Sequence, residues 1–162
     1  MALVIDRARE DAEAIARDYS VSGFFPVDVE AVANKMGIRV EYTFLREGVS
    51  GMIRSRPPEV PVIYVDATEV AARQRFTVAH ELGHYVERTN QGQDDFAFID
   101  ERSTEYDLHE FYADEFAGNL LMPSGEIERL QRRGMTHVEM AAHFGVSAPA
   151  LNTRLRRLSK RR

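Results

Sequence analysis

Residues 80–84 read His-Glu-Leu-Gly-His, a spacing that suits metal chemistry. On an α-helix, two histidines four residues apart share one face, and both imidazoles can reach a single metal ion. Glu81 lies about 100° round from His80, so its carboxylate can reach a water beside the metal without becoming a ligand. Two neutral nitrogen ligands and an open position suit zinc. Zinc lowers the pKa of its water towards ~7, and a neighbouring carboxylate takes the proton as the water attacks a carbonyl. The reaction class implied is amide hydrolysis, with His80 and His84 as ligands and Glu81 as general base. The pentapeptide is short, and the chain has five histidines among many acidic residues, so its surroundings must decide.

Those surroundings are helical. From Arg75 to Val86, the residues Val78, Ala79, Leu82, Tyr85 and Val86 gather on one side of a helical wheel. Thr77, His80, Glu81 and His84 gather on the other. An ordinary solvated face would share this pattern, but it would not usually carry two histidines at i, i+4 around one glutamate.

A catalytic zinc needs a third protein ligand, and the chain has no cysteine to supply it. The best candidate is Glu110, in His109-Glu110-Phe111-Tyr112-Ala113-Asp114. Glu110 and Asp114 share a helical face with Ala113, Ala117 and Leu121, with Gly118 close by. Small residues let a second helix come near, and the short reach of a carboxylate requires it. Asp114 is one turn from Glu110 and is placed to accept the outer N–H of a ligating histidine. His109 and the aspartates of 94–100 are the competing ligands. For the oxyanion, Tyr106, Tyr112, His109, Arg102 and Arg75 are candidates by type, and none is assigned.

Several elements must position these groups. Helical spacing covers 5–18, and a second helix follows Pro26 and runs to about Lys35, before Gly37. Strands are expected at 38–42, 51–54 and 62–65, forming a small three-stranded antiparallel sheet. The metal helix is expected over 68–88 and a polar loop over 89–105, followed by helices at 106–121, 124–133, 136–144 and 147–158. The class is α+β and mostly helical, with a zincin-like domain over 1–123 and a C-terminal helical segment over 124–162 packed on it.

The chain has 162 residues and a net charge of −5, unevenly spread. From Ile127 onward there are nine basic residues and two acidic ones, so this segment carries +7 and the remainder −12. Such a contrast suggests an acidic partner surface, nucleic acid or an internal contact. Residues 136–151 look like a helix–turn–helix, with Gly145 at the turn and Ser147 as N-cap. The next helix opens on Ala148, Pro149, Ala150 and Leu151, which offer little to base edges, while Arg154, Arg156 and Arg157 come late. A structural or partner-docking role is preferred to DNA contact for these arginines. Absent cysteines fit a reducing compartment, and neither a signal peptide nor a membrane span is visible, so a cytoplasmic protein is expected.

The stretch Arg75-Phe76-Thr77-Val78-Ala79-His80-Glu81-Leu82-Gly83-His84, then Glu110-Phe-Tyr-Ala113-Asp114-Glu-Phe116-Ala117 running into Leu120-Leu121-Met122-Pro123, resembles the ImmA/IrrE family of bacterial and phage metallopeptidases. The family pattern looks like R-F-T-x-A-H-E-L-G-H followed by E-x-x-A-N-x-F-A-x-x-L-L-M-P, and Asp114 stands where Asn is common. The resemblance runs from about Pro26 to Arg157. It implies His80, His84 and Glu110 as ligands to one zinc, Glu81 as catalytic base and a gluzincin-like fold. It also implies a cytoplasmic peptidase with few substrates, typically a helix–turn–helix repressor whose cleavage releases gene expression. That repressor would be a separate protein. A metal-binding regulator without proteolysis, or a toxin–antitoxin component, is the alternative.

Overall fold

The computed structural model describes residues 2–20, 23–101 and 107–160. Seven helices and four strands lie within them, in an α+β arrangement. Helix α1 (Ala2–Tyr19) and helix α2 (Val29–Lys35) precede strands β1 (Arg39–Thr43), β2 (Val49–Ser55) and β3 (Val62–Asp66). Helix α3 (Ala71–Asn90), strand β4 (Phe96–Glu101) and helix α4 (Leu108–Leu121) follow. Helices α5 (Ser124–Arg132), α6 (His137–Phe144) and α7 (Ala148–Ser159) end the chain. No helix among the described residues is long and apolar enough to cross a membrane.

The sheet differs from the expected three-stranded antiparallel one. It has four strands in the order β1-β3-β2-β4 and is mixed. Strands β2 and β3 form the expected antiparallel pair, with Ile53 opposite Ile63. β1 does not flank β2, however; it runs parallel to β3, with Val40 opposite Ile63. The far edge of β2 is taken by β4, which pairs antiparallel along Met52–Ile99 and Ile53–Phe98. β4 occupies the second half of the segment read as a loop. Its signal was the alternation Phe96-Ala97-Phe98-Ile99, in which Phe96 and Phe98 turn to the core and Ala97 and Ile99 to solvent. Four residues of alternation between acidic flanks are too few to stand out in the sequence.

Helix α3 lies between the sheet and α4, and α1 covers the other side of α4. From Thr77 to His84 every residue of α3 is buried. Its apolar stripe meets the core, and its polar stripe is covered as well, which an ordinary solvated face would not be. Gly83 sets the distance to α4. A Cβ there would stand 2.9 Å from Ala113 Cα and 3.2 Å from the Ala113 carbonyl oxygen. Only a glycine lets the two backbones approach so closely.

The start of α4 is fixed by Asp107, whose Oδ1 accepts from the backbone N–H of His109 (2.8 Å) and of Glu110 (2.9 Å). This cap places Glu110 in the first turn, where the helix dipole favours a carboxylate. The helix stops before Pro123, as the sequence requires. The apolar side chains of α5 to α7, including Ile127, Phe144 and Leu151, belong to the same buried cluster as those of α3 and α4.

Candidate metal centre

Helices α3 and α4 bring three side chains to one point. Nε2 of His80 and Nε2 of His84 stand 3.1 Å apart. The Glu110 carboxylate lies across both, with Oε2 at 3.2 Å from His80 Nε2 and Oε1 at 3.1 Å from His84 Nε2. Among the described residues these three form the group of side chains close enough to share an ion. In a tetrahedral zinc site with bonds of ~2.0–2.1 Å, neighbouring ligand atoms stand roughly 3.3 Å apart. The observed separations match that edge length, so the donor set fits a small divalent cation such as zinc.

Electrostatics point the same way. Burial disfavours a proton on His80, but its hydrogen bonds to Asp114 and Glu110 outweigh this and push its pKa well above the usual histidine range. His84 goes the other way, lowered mainly by burial. Burial would raise Glu110, yet its bonds to His80 and His84 hold its carboxyl far below the ordinary range. An ionised carboxylate enclosed with two imidazoles is a pocket that favours positive charge.

The two histidines are oriented by different means. Nδ1 of His80 is 3.0 Å from Asp114 Oδ1, so its N–H donates to that carboxylate and Nε2 is left for a metal. Nδ1 of His84 is buried and has no hydrogen-bond partner among the described residues. Its ring is held instead by stacking on Phe98 of β4, with centroids 4.8 Å apart and planes 5° from parallel. The Arg88 guanidinium also lies over the Phe98 ring, 4.6 Å from its centroid. The role of Phe98 was not visible in the sequence, because it depends on β4 pairing with β2. Replacing Asp114 by Ala is expected to weaken metal binding by ~10–100-fold without abolishing it, since the ring loses its fixed tautomer but keeps its position. Competition against a chelator measures this; wild-type affinity would leave Asp114 without an orienting role.

Glu81 is fully buried on the same helix. A Cβ on Gly51 of β2 would lie 3.1 Å from Glu81 Oε1 and 2.4 Å from Thr77 Cγ2. Glycine at that point of the sheet is what makes room for the glutamate. Gly51 does not stand out in the sequence, since the side chains it accommodates belong to another element.

Of the competing ligands, His109 is occupied elsewhere, its Nδ1 pairing with Glu87 at 2.9 Å. Asp94 and Asp95 are exposed, while the Asp100 side chain lies outside the described residues. Of the oxyanion candidates, Arg75 donates to the Val27 carbonyl at 2.8 Å and packs at Gly145, while the Tyr112 hydroxyl donates to Asp11 of α1. Tyr106 and Arg102 lie outside the described residues.

Two of the three late arginines turn inward. Arg154 is 3% exposed and donates to Asn119 Oδ1 (2.8 Å) and to the Met122 carbonyl (3.2 Å). Arg157 reaches Glu115 at 3.1 Å and Asp114 at 3.6 Å. Arg156 stays exposed and bonds Thr153. A basic α7 is thereby fastened to an acidic α4, which is the internal contact among the options raised by the charge contrast. Gly118 lets the stem of Arg154 cross α4, because a Cβ there would already touch Arg154 Cδ at 3.4 Å. Arg154→Ala should cost about 1–3 kcal/mol of stability by leaving Asn119 and the Met122 carbonyl without their donor. Thermal unfolding measures it, and an unchanged midpoint would contradict this anchoring role.

A helix with H-E-x-x-H, a glutamate from a second helix, and a buried glutamate beside the pair define a metallopeptidase-type centre. The comparison with protein families agrees. The model of the peptidase family M78, described as the IrrE N-terminal-like domain, matches residues 33–156, about three-quarters of the chain, and the chain belongs to that family. No curated protein matches the chain significantly.

Proposed function

We propose that the protein is a zinc-dependent, site-selective endopeptidase of bacterial or phage origin that cleaves a helix–turn–helix repressor in the cytoplasm. One observation carries this reading: His80, His84 and Glu110 converge within ligand distance of each other, and the buried carboxylate of Glu81 interacts electrostatically with His80. A binding module needs the first three residues but has no use for the fourth. Zinc, when bound there, supplies a polarised water and a Lewis acid towards the scissile carbonyl. The chain's own residues do the rest. Glu81 takes the proton of the attacking water and returns it to the leaving amine. Asp114 holds the His80 tautomer, and Phe98 holds the His84 ring.

Among the described residues β4 is one of the two edge strands of the sheet, and Phe98 ties it to the metal helix. An extended substrate segment could add to that edge by backbone hydrogen bonds. Such binding requires the segment to be unfolded locally, which favours cutting at few sites. The repressor identity comes from the family resemblance and is an analogy.

Selectivity is tested by incubating the zinc-loaded protein with any helix–turn–helix repressor found encoded beside its gene and, separately, with casein. Cuts are mapped by mass spectrometry. One or a few cuts in the repressor and slow attack on casein are expected. Rapid, unselective casein digestion would overturn the site-selective reading, and a metal-loaded protein that cuts neither would favour a non-proteolytic regulator.

A further inference from the structure

The metal centre opens into a cleft of about 390 Å³ whose far wall is the C-terminal helix α7. His80, Glu110 and Asp114 form one end of it. Ala72 and Phe76 of α3, Met122 at the end of α4, and Pro149, Ala150 and Thr153 of α7 give the rest its apolar part, with Arg73, Glu115, Arg154 and Arg157 as its charged members. These α7 residues belong to its first two turns. In a helix–turn–helix that reads DNA, those turns of the second helix lie against base edges. Here they face the metal centre.

The placement of α7 is built rather than incidental. Ser147 caps the helix, its Oγ accepting from the Ala150 N–H at 3.2 Å. Gly145 makes the turn before it in the left-handed region, at φ 62°. Arg154 and Arg157 lock the helix to Asn119, Glu115 and Asp114 of α4. Asp114 therefore touches both the helix that forms the wall and the histidine of the metal centre.

The chemistry of the lining selects the occupant. Arg154 and Arg157 are already engaged with acidic or carbonyl partners, and Arg73 pairs with Glu69 at 3.6 Å. A charged substrate side chain would lose its hydration here and would have to compete with these existing pairs. An aliphatic side chain would gain by covering Ala72, Phe76 and Ala150, which are partly exposed. The small residues Ala150 and Thr153 leave the space it would fill.

We infer that α7 is a specificity wall: Ala150 and Thr153 select an aliphatic side chain of leucine or methionine size next to the scissile bond. This rests on the peptidase reading and assigns the helix–turn–helix-like segment a task at the active centre in place of DNA contact.

Small hydroxamates test it, because they chelate zinc and carry a chosen side chain beside it. Acetohydroxamate and the hydroxamates of acetyl-leucine, acetyl-aspartate and acetyl-lysine are titrated calorimetrically into the zinc-loaded protein. The leucine compound should bind roughly 10–100-fold more tightly than acetohydroxamate, the range that burying one aliphatic side chain provides. The aspartate and lysine compounds should show no such gain. Ala150→Phe and, separately, Thr153→Phe fill the cleft and should each reduce the leucine-to-acetohydroxamate ratio at least ~10-fold. Retention of that ratio in both variants, or preference for a charged compound, would overturn the inference while leaving the peptidase reading intact. Failure of acetohydroxamate to bind the wild-type protein would overturn both.

Discussion

Glu81→Gln is expected to keep its metal and its fold and to lose peptide-bond cleavage by ~10²–10⁴-fold, the usual worth of a general base. The two side chains are nearly isosteric, so the packing against Gly51 and Thr77 survives. The amide can still hydrogen-bond a water but cannot take its proton. Burial matters here, because a fully enclosed carboxylate beside a cation has no bulk water to substitute for it. Cleavage rates by mass spectrometry, with zinc content and unfolding temperature measured on the same sample, separate this outcome from simple misfolding. Near-normal turnover in a folded, metal-loaded variant would falsify the role given to Glu81.

Glu110→Ala should lose most of its metal on dialysis. Two imidazole nitrogens 3.1 Å apart remain, and they make a weak site alone. Loss of an outer partner costs ~10–100-fold in affinity, so loss of a direct ligand should exceed the upper end of that range. Glu110→Asp shortens the reach by one methylene and should hold metal only in part, since the close approach of α4 to α3 at Gly83 is set by backbone and Ala113 and does not shift to follow the shorter side chain. Metal analysis after dialysis decides. Full occupancy in Glu110→Ala would move the third ligand to His109 or to an aspartate of 94–100, although His109 is held by Glu87.

The parts of this centre that were legible in the sequence are those set by helical spacing. His80, Glu81 and His84 lie on one helix, and Glu110 and Asp114 on another, so each group could be read from its own period. The small residues of α4 announced a close neighbour, and the structure places Gly83 opposite Ala113. What could not be read were contacts made between elements distant in sequence. Gly51 matters because β2 passes over Glu81, and Phe98 matters because β4 lays its ring on His84. Neither follows from its own neighbours.

The sheet shows the same division. β2 and β3 were readable from composition, and so was the turn region of prolines between them. The parallel pairing of β1 with β3 was not, because proximity in sequence favours a meander. That preference gives way once β4 occupies the open edge of β2. For the late arginines, sequence leaves an internal contact, a partner surface and nucleic acid all open, because their partners Asn119 and Glu115 lie on another helix, 35 and 42 residues earlier. Charge contrast between segments indicated that a contact exists; only the docking of α7 on α4 identifies it as internal.

The most direct test is to titrate zinc into metal-free protein while following cleavage of the proposed helix–turn–helix repressor substrate by mass spectrometry. The account predicts no cleavage without metal, a linear rise as zinc is added, and a plateau at one zinc per chain. Cleavage that proceeds without metal, or its absence in a chain shown to hold one zinc, would contradict it.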